Sequence, residues 1–224
     1  MKQLLQALTE AGCTHLSYGD SPGNPTTTPD KAAEGAGITE AAEKYDLEKA
    51  DFATGSIVPF PEGRTAKSFY LCKGVQEADA YINVCKMKTH ALERITGAIK
   101  NQYGCITGVN KATGHAAYPN SDVFADMLAD LNLCIRPRLH VMDGVVAMEG
   151  NGPTAGSARE IGALVAGFSP HKTDLVCGMC TAIFANKTGG VFRTSCMKEK
   201  IIHAGLCIQL SLQSLMNEFL VFSG

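Results

Sequence analysis

Basic side chains alternate along one apolar stretch of this 224-residue chain. Lys86, Lys88 and His90 stand two residues apart. Because side chains two residues apart share one face of an extended backbone, all three point the same way if the stretch is a strand. Several cations at the end of a strand are typical of an anion site for phosphate or carboxylate, although a solvated surface run would have the same composition.

Further polar residues follow this stretch and extend the expected anion site. Lys100 and Asn101 come one predicted helix later, and His115 follows in a glycine-containing loop. Glycines in the same region would let a ligand approach the backbone closely. We therefore expect Lys100, Asn101 and His115 to contribute to anion binding.

A second candidate site combines carboxylates with a glycine-rich loop. Asp143 lies within an otherwise apolar predicted strand, where a carboxylate is costly unless it is paired or binds a metal. Glu149 and Asp174 could complete a set of oxygen ligands for Mg²⁺ or another divalent cation, and Asp143 and Glu149 could act as catalytic acid and base. The backbone amides of Gly150 and Gly152 could also bind an anion. The alternative for Asp143 is that it caps a turn with the glycine that follows it.

Four cysteines near the end of the chain form a third candidate site. Cys177 and Cys180 make a C-x-x-C pair, and Cys196 and Cys207 follow. Four thiolates could bind zinc or an iron–sulfur cluster, and C-x-x-C alone could be a redox pair. The spacing matches neither the bacterial ferredoxin run nor the usual zinc ribbon. The simpler hypothesis, buried or free thiols, is therefore favoured.

The elements that position these residues alternate between helices and strands. Strands alternating with helices predict an α/β fold, with a layered, largely parallel or mixed central sheet flanked by helices. In such sheets ligands bind at the carboxyl ends of the strands, where the cationic and acidic motifs lie. Hydrophobic periodicity predicts helices over residues 2–11, 31–44, 92–101 and 122–135, and strands over 15–18, 51–58, 65–71, 81–90, 139–148 and 161–167.

Composition excludes several classes of protein. The chain has 20 Lys plus Arg and 22 Asp plus Glu, a net charge of −2, which argues against a dedicated nucleic-acid-binding protein. The first eight residues lack the apolar core of a signal peptide, and no run of 18 apolar residues suggests a membrane span. The nine cysteines then favour a reducing compartment, so we expect a cytoplasmic protein.

Two motifs in this sequence resemble the signature of the domain-of-unknown-function family 362. The first runs over residues 82–90 and continues at 96–101 with Gly104; the second covers Asp143 to Gly156, and Asp174 matches a recurring aspartate after the following strand. The resemblance covers about residues 1–185. Longer members of the family carry a ferredoxin-like iron–sulfur module, which implies redox or cofactor metabolism.

The sequence also departs from the family pattern. It begins with a predicted helix where the family usually opens with a strand, and it has no ferredoxin run of cysteines. The stretch after about Thr188 does not resemble the family. We therefore expect a single α/β domain over 1–190 without the family's first strand, a divergent helical segment over 191–224, and no ready place for a 4Fe–4S cluster.

The leading hypothesis is an enzyme, or a remnant of one, that binds an anionic small molecule, with a divalent metal as an option. The rival hypothesis is an iron–sulfur or zinc redox module built on the C-terminal cysteines. Neither nucleic acid nor a membrane is an expected partner. A second copy of the chain or a redox partner protein is, because a missing first strand would leave an unpaired sheet edge.

Overall fold

The structure is a computed structural model that describes residues 1–23, 26–90, 93–185 and 220–223. The helices are α1 (Lys2–Glu10), α2 (Pro29–Gly35), α3 (Ile38–Lys44), α4 (Lys73–Gln76), α5 (Ala98–Asn101), α6 (Gly108–Ala117), α7 (Ser121–Ile135) and α8 (Pro170–Ala185), with a 3-10 helix at Gln102–Cys105. The strands are β1 (Ser17–Tyr18), β2 (Glu48–Lys49), β3 (Gly55–Pro59), β4 (Ser68–Cys72), β5 (Ile82–His90), β6 (Arg94–Thr96), β7 (Leu139–Glu149), β8 (Ser157–Gly167) and β9 (Leu220–Ser223).

The chain divides into two compact units. The first consists of Met1–Pro61, Lys67–Asp79 and Gly104–Ala117, and the second of Glu62–Ala66, Ala80–Tyr103 and Tyr118–Gly224. Within the first unit, β1 and β2 pair in parallel and β3 and β4 form an antiparallel hairpin. The predicted helix over 31–44 is two helices, because Gly37 at φ +68° places a left-handed residue between α2 and α3.

A five-stranded mixed sheet forms the centre of the second unit. Its strand order is β6-β5-β7-β8-β9, with β5 and β7 parallel and the other neighbours antiparallel. The described residues therefore have the expected α/β layered fold with a mixed sheet. Because β5 and β7 run the same way, their carboxyl ends, His90 and Glu149, lie at the same edge of the sheet.

One face of this sheet carries the core of the second unit. Cys85 and Met87 on β5 and Met142 on β7 are buried together with Val165 on β8. The helices α5 and α8 cover this face, α8 through Cys177. Met142 is paired with Cys85 in the β5–β7 register, and the alternation of a strand then turns Lys86 and Asp143 toward the opposite face.

The residues after β5 form a strand where a helix was predicted, and this strand lies beside the basic residues of β5. The helix predicted over 92–101 is wrong for most of its length: β6 folds back on β5, and only α5 is helical. The β-branched Ile95 and Thr96 pair with β5, where they fit a pleated strand better than a helix. The loop predicted around His115 is also wrong, because those residues form α6.

The ends of the predicted domains fall mostly outside the described residues. Of the segment expected to be helical over 191–224, the structure describes only β9, which is a strand paired with β8. The domain boundary near 190 lies in the stretch that is not described, so the division at 190 stays a prediction.

Candidate functional site

The strand β5 separates its side chains into two sets. Asn83, Cys85 and Met87 are buried, whereas Lys86 and Lys88 between and after them are only partly buried. The period-two alternation places both lysines on the face of the sheet opposite the core. His90 continues the same alternation at the end of the strand.

Lys86 forms an ion pair with Asp143, the carboxylate that lies in an otherwise apolar strand. Its Nζ donates to Asp143 Oδ2 at 2.7 Å, across the parallel register that sets the two residues side by side. Asp143 Oδ1 accepts a hydrogen bond from the backbone N–H of Val145 at 3.0 Å, as a turn-capping aspartate does. Both side chains are 42% exposed, so the carboxylate is satisfied and still open to solvent or a ligand.

The β5–β7 pairing shifts register directly beyond this ion pair. Lys86 pairs with Asp143, but Lys88 pairs with Met148, so β7 bulges over the intervening residues. Val145 and Val146 are exposed in this bulge. Bulges reorient side chains next to binding sites in many proteins, and this one ends the regular ladder where the cationic residues are clustered.

Lys88 is the least satisfied of the basic residues in the motif. It is partly buried, and its ammonium makes no hydrogen bond or ion pair among the residues that the structure describes. Its register partner on β6 is Thr96, which is buried. The Thr96 hydroxyl also lacks a hydrogen-bond partner in the described part of the chain.

His90 and Glu93 meet in the turn between β5 and β6. The backbone N–H of Glu93 donates to His90 Nδ1 at 3.2 Å, which requires Nδ1 to be unprotonated. Burial raises the pKa of the Glu93 carboxyl, an effect that nearby Lys100 opposes and Asp122 reinforces. Sequence reasoning did not single out Glu93, because it predicted a helix over this stretch.

The structure places Lys100 and Asn101 in different surroundings from the two lysines of β5. The Lys100 ammonium lies 5.7 Å from the ring centroid of Tyr103 and 5.6 Å from that of Phe124, in cation–π geometry. Asn101 Nδ2 donates to Asn83 Oδ1 at 2.8 Å, on the core side of β5. Both residues therefore support the packing of α5, and their part in anion binding stays a prediction.

His115 lies on α6, which belongs to the first unit. The basic residues of β5 belong to the second unit. The contribution of His115 to anion binding therefore also stays a prediction.

The three carboxylates proposed as metal ligands occupy three separate positions. Asp143 pairs with Lys86, whereas Glu149 at the end of β7 forms an ion pair with Arg159 on β8. Asp174 accepts hydrogen bonds from the backbone N–H groups of α5. Within the described ranges, no three His, Cys, Asp or Glu side chains are grouped so as to hold a metal ion.

Asp174 on α8 has a strongly raised pKa. Burial raises its pKa from 3.8 to about 7, although the N–H groups of Ile99 and Ala98 act in the opposite direction. Its carboxylate caps the first turn of α5 from a neighbouring helix, and Gly97 leaves the room it needs. Asp174 is thus the residue that ties α5 to α8.

The glycine-rich loop joins β7 to β8 as the turn of a hairpin. Thr89 Oγ1 on β5 donates to the carbonyl oxygen of Gly150 at 3.0 Å. A Cβ on Gly152 would lie 2.1 Å from the carbonyl oxygen of Thr89, so the loop is packed directly against the end of β5. Anion binding by the amides of Gly150 and Gly152 stays a prediction.

Of the four cysteines in the third candidate site, the structure describes the side chain of Cys177. Cys177 is fully buried in the core of the second unit, among the side chains of β5, β7 and β8. The side chain of Cys180 and the residues Cys196 and Cys207 lie outside what the structure describes. A four-thiolate zinc or iron–sulfur site therefore stays a prediction.

Comparison with known proteins decides the family. The family model described as domain of unknown function (DUF362) matches residues 1–178. The chain belongs to this family. It is also 33% identical over 172 residues to the thylakoid-associated protein sll1697 of Synechocystis sp., an alignment that covers 76% of this chain. The aligned part is 52% of that relative, so the chain spans about half the length of the curated protein it matches.

No solved structure matches the DUF362 chain. Among its described helices, none combines the length and the apolar character needed to cross a bilayer.

Proposed function

We propose that this DUF362 chain binds an anionic small molecule, a phosphate or a carboxylate, on the face of β5 that carries Lys86, Lys88 and His90. The observation that carries the proposal is Lys88, a partly buried lysine whose ammonium has no hydrogen bond or counter-ion among the described residues. A partly buried charge without a partner loses hydration without compensation. A bound anion would supply that compensation.

The ion pair between Lys86 and Asp143 gives the proposed site its second component. With the Lys86 charge already matched by Asp143, Lys88 contributes the net positive charge of the β5 face. Asp143 remains partly exposed, so it could accept a proton from the bound molecule or bind a divalent cation such as Mg²⁺ together with the anion's oxygens. This chemistry would make the chain an enzyme or a remnant of one.

The test is calorimetric titration of the whole chain with inorganic phosphate and with citrate, each with and without Mg²⁺. Removing the unpaired cation in Lys88→Ala should weaken binding about tenfold or more, since a charge-assisted hydrogen bond contributes about 1.5–3 kcal/mol. Lys31→Ala is the matched control, because Lys31 is an exposed lysine of α2 in the other unit. Absence of binding to the folded wild-type chain would contradict the proposal.

The proposal also includes a cytoplasmic location, based on the composition of the chain. The relative from Synechocystis is named as thylakoid-associated, which would correspond here to peripheral attachment to a membrane from the cytoplasmic side. Fractionation of cells that produce the chain would separate the two cases, since salt washing releases a peripheral protein into the soluble fraction.

A further inference from the structure

We propose that Thr96 and Arg94 on β6 complete the anion site and that the ligand is a phosphoryl group. This inference rests on the proposed function and names its substrate class. Neither residue belongs to the basic motif of β5. Both enter the site because β6 folds back on β5 as a hairpin.

The hairpin register sets these residues beside the basic motif. Thr96 is the partner of Lys88, and Arg94 is the partner of His90. Paired residues of an antiparallel ladder project from the same face of the sheet. Ile95 packs against the core cluster on the opposite face, so its extended neighbour Thr96 projects to the face that carries Lys88. Arg94, at φ +64°, is set beside this face by its register with His90.

The Thr96 hydroxyl is a buried polar group that lacks a hydrogen bond within the described part of the chain. A buried hydroxyl that makes no hydrogen bond destabilises the folded protein. Valine, which has nearly the same shape and no hydroxyl, would give a more stable core at this position. The ammonium of Lys88, its register partner, also lacks a hydrogen bond within the described ranges. A single acceptor with several oxygens would satisfy both groups together.

Arg94 adds a second cation to this face. It is exposed, has φ +64°, and its guanidinium makes no hydrogen bond or ion pair with the rest of the described chain. A positive φ is unfavourable for a bulky side chain, and such strain is concentrated at functional sites. The guanidinium of arginine matches the oxygens of a phosphate through two parallel N–H donors.

Charge and oxygen number together favour a phosphoryl group over a carboxylate. Lys86 is neutralised by Asp143, which leaves the charges of Lys88 and Arg94 for the ligand. A phosphate monoester carries between one and a half and two negative charges near neutral pH and offers three terminal oxygens. A lysine, an arginine and a threonine can each donate to a different one of these oxygens, whereas a carboxylate offers two oxygens and one charge.

The test compares inorganic phosphate with acetate in calorimetric titrations of four variants. We expect wild-type protein to bind phosphate at least tenfold more tightly than acetate. Thr96→Val and Arg94→Gln should each weaken phosphate binding about tenfold, the size of effect expected for a hydrogen bond to a charged group. Thr96→Ser keeps the hydroxyl and should bind phosphate within about threefold of wild type.

A thermal-unfolding measurement on the ligand-free proteins separates binding from structure. Thr96→Val should unfold at the same temperature as wild type or higher, because it removes an unpaired buried hydroxyl. Loss of phosphate affinity without loss of stability would therefore support the inference. Equal binding of acetate and phosphate would overturn it.

The Lys88→Ala variant distinguishes failure of this inference from failure of the proposed function. If phosphate binding falls in Lys88→Ala but is unchanged in Thr96→Val and Arg94→Gln, the proposed function holds and this inference is wrong. If the folded wild-type chain binds neither anion, both are wrong.

Discussion

At the scale of single residues, Asp143 and Gly152 are both constrained by atoms of β5. Asp143 in an apolar strand required a partner, and this requirement follows from the cost of burying a charge. That the partner is Lys86 depends on the register of a parallel pair whose members are 57 residues apart. The reason for a glycine at position 152 was equally hidden, because the atom that excludes a side chain there belongs to β5.

This close approach makes Gly152 the residue of the loop most sensitive to substitution. In Gly152→Ala the new Cβ would lie 2.1 Å from the carbonyl oxygen of Thr89, so the loop or the end of β5 must move. We expect the free energy of unfolding in urea to fall by about 1–3 kcal/mol, the usual cost of overpacking.

Gly35→Ala is the matched control, since nothing lies within 4 Å of its added Cβ and Gly35 lies in a helix. Alanine should leave the stability of α2 unchanged or raise it by up to about 1 kcal/mol. An equal loss of stability in both variants would show that the close contact with the Thr89 carbonyl oxygen is not the cause of the loss in Gly152→Ala.

At the scale of elements, long periodic segments were predicted well and short ones were not. The helix α7 and the strand β7 have strong patterns and occur within one residue of their predicted bounds, whereas β8 ends where predicted but begins four residues earlier. The four-residue helix α5 has too few residues to be stable by its own hydrogen bonds. It depends on Asp174, a residue more than seventy positions away, and no local pattern could reveal that cap.

Asp174 should make the stability of the chain depend on pH. Burial raises its pKa from 3.8 to about 7, so the folded state holds a proton that the unfolded state has lost. Its stabilising contribution is complete below about pH 4 and is lost as the pH rises to about 7. In Asp174→Asn this contribution is absent, so the wild type should lose stability relative to the variant between pH 5 and pH 7.5 in urea unfolding.

The comparison must be made between variants because His140 acts in the opposite direction. Burial lowers the pKa of His140 to about 4, so its contribution is lost as the pH falls below about 6.5. This effect is common to both proteins and cancels in their difference. Parallel stability curves for wild type and Asp174→Asn would contradict the assignment of a raised pKa to Asp174.

At the scale of the whole molecule, composition indicated the environment of several cysteines. The number of cysteines suggested small buried hydrophobic residues. Cys72, Cys85, Cys105 and Cys177 are indeed buried, whereas Cys13 is exposed. The division into two units could not be read from the sequence, because each unit combines segments that are distant along the chain.

The rate at which the cysteines react tests whether Cys72 in the first unit and Cys85 in the second are buried in solution. Burial raises the pKa of Cys72 to about 11 and that of Cys85 well above the ordinary value for a thiol. Since the thiolate is the reactive form, alkylation at pH 8 followed by mass spectrometry of peptides should label Cys13 at least tenfold faster than Cys72 or Cys85.

In concentrated guanidinium chloride the three cysteines should be labelled at similar rates, which controls for local sequence effects. Rapid labelling of Cys85 in the native protein would mean that the core of the second unit is open in solution.

The order in which segments contribute to the two units affects how the chain can be cut. Gly104–Ala117 belongs to the first unit, yet it lies between β5 and β7, the parallel pair at the centre of the other sheet. A fragment that ends before residue 104 lacks part of the first unit as well as β7, the parallel partner of β5. A fragment that starts at residue 80 contains α6 without most of the unit to which α6 belongs. No single cleavage point in the chain therefore yields two complete pieces, and on the ribosome neither unit can be finished until its last segment has been synthesised.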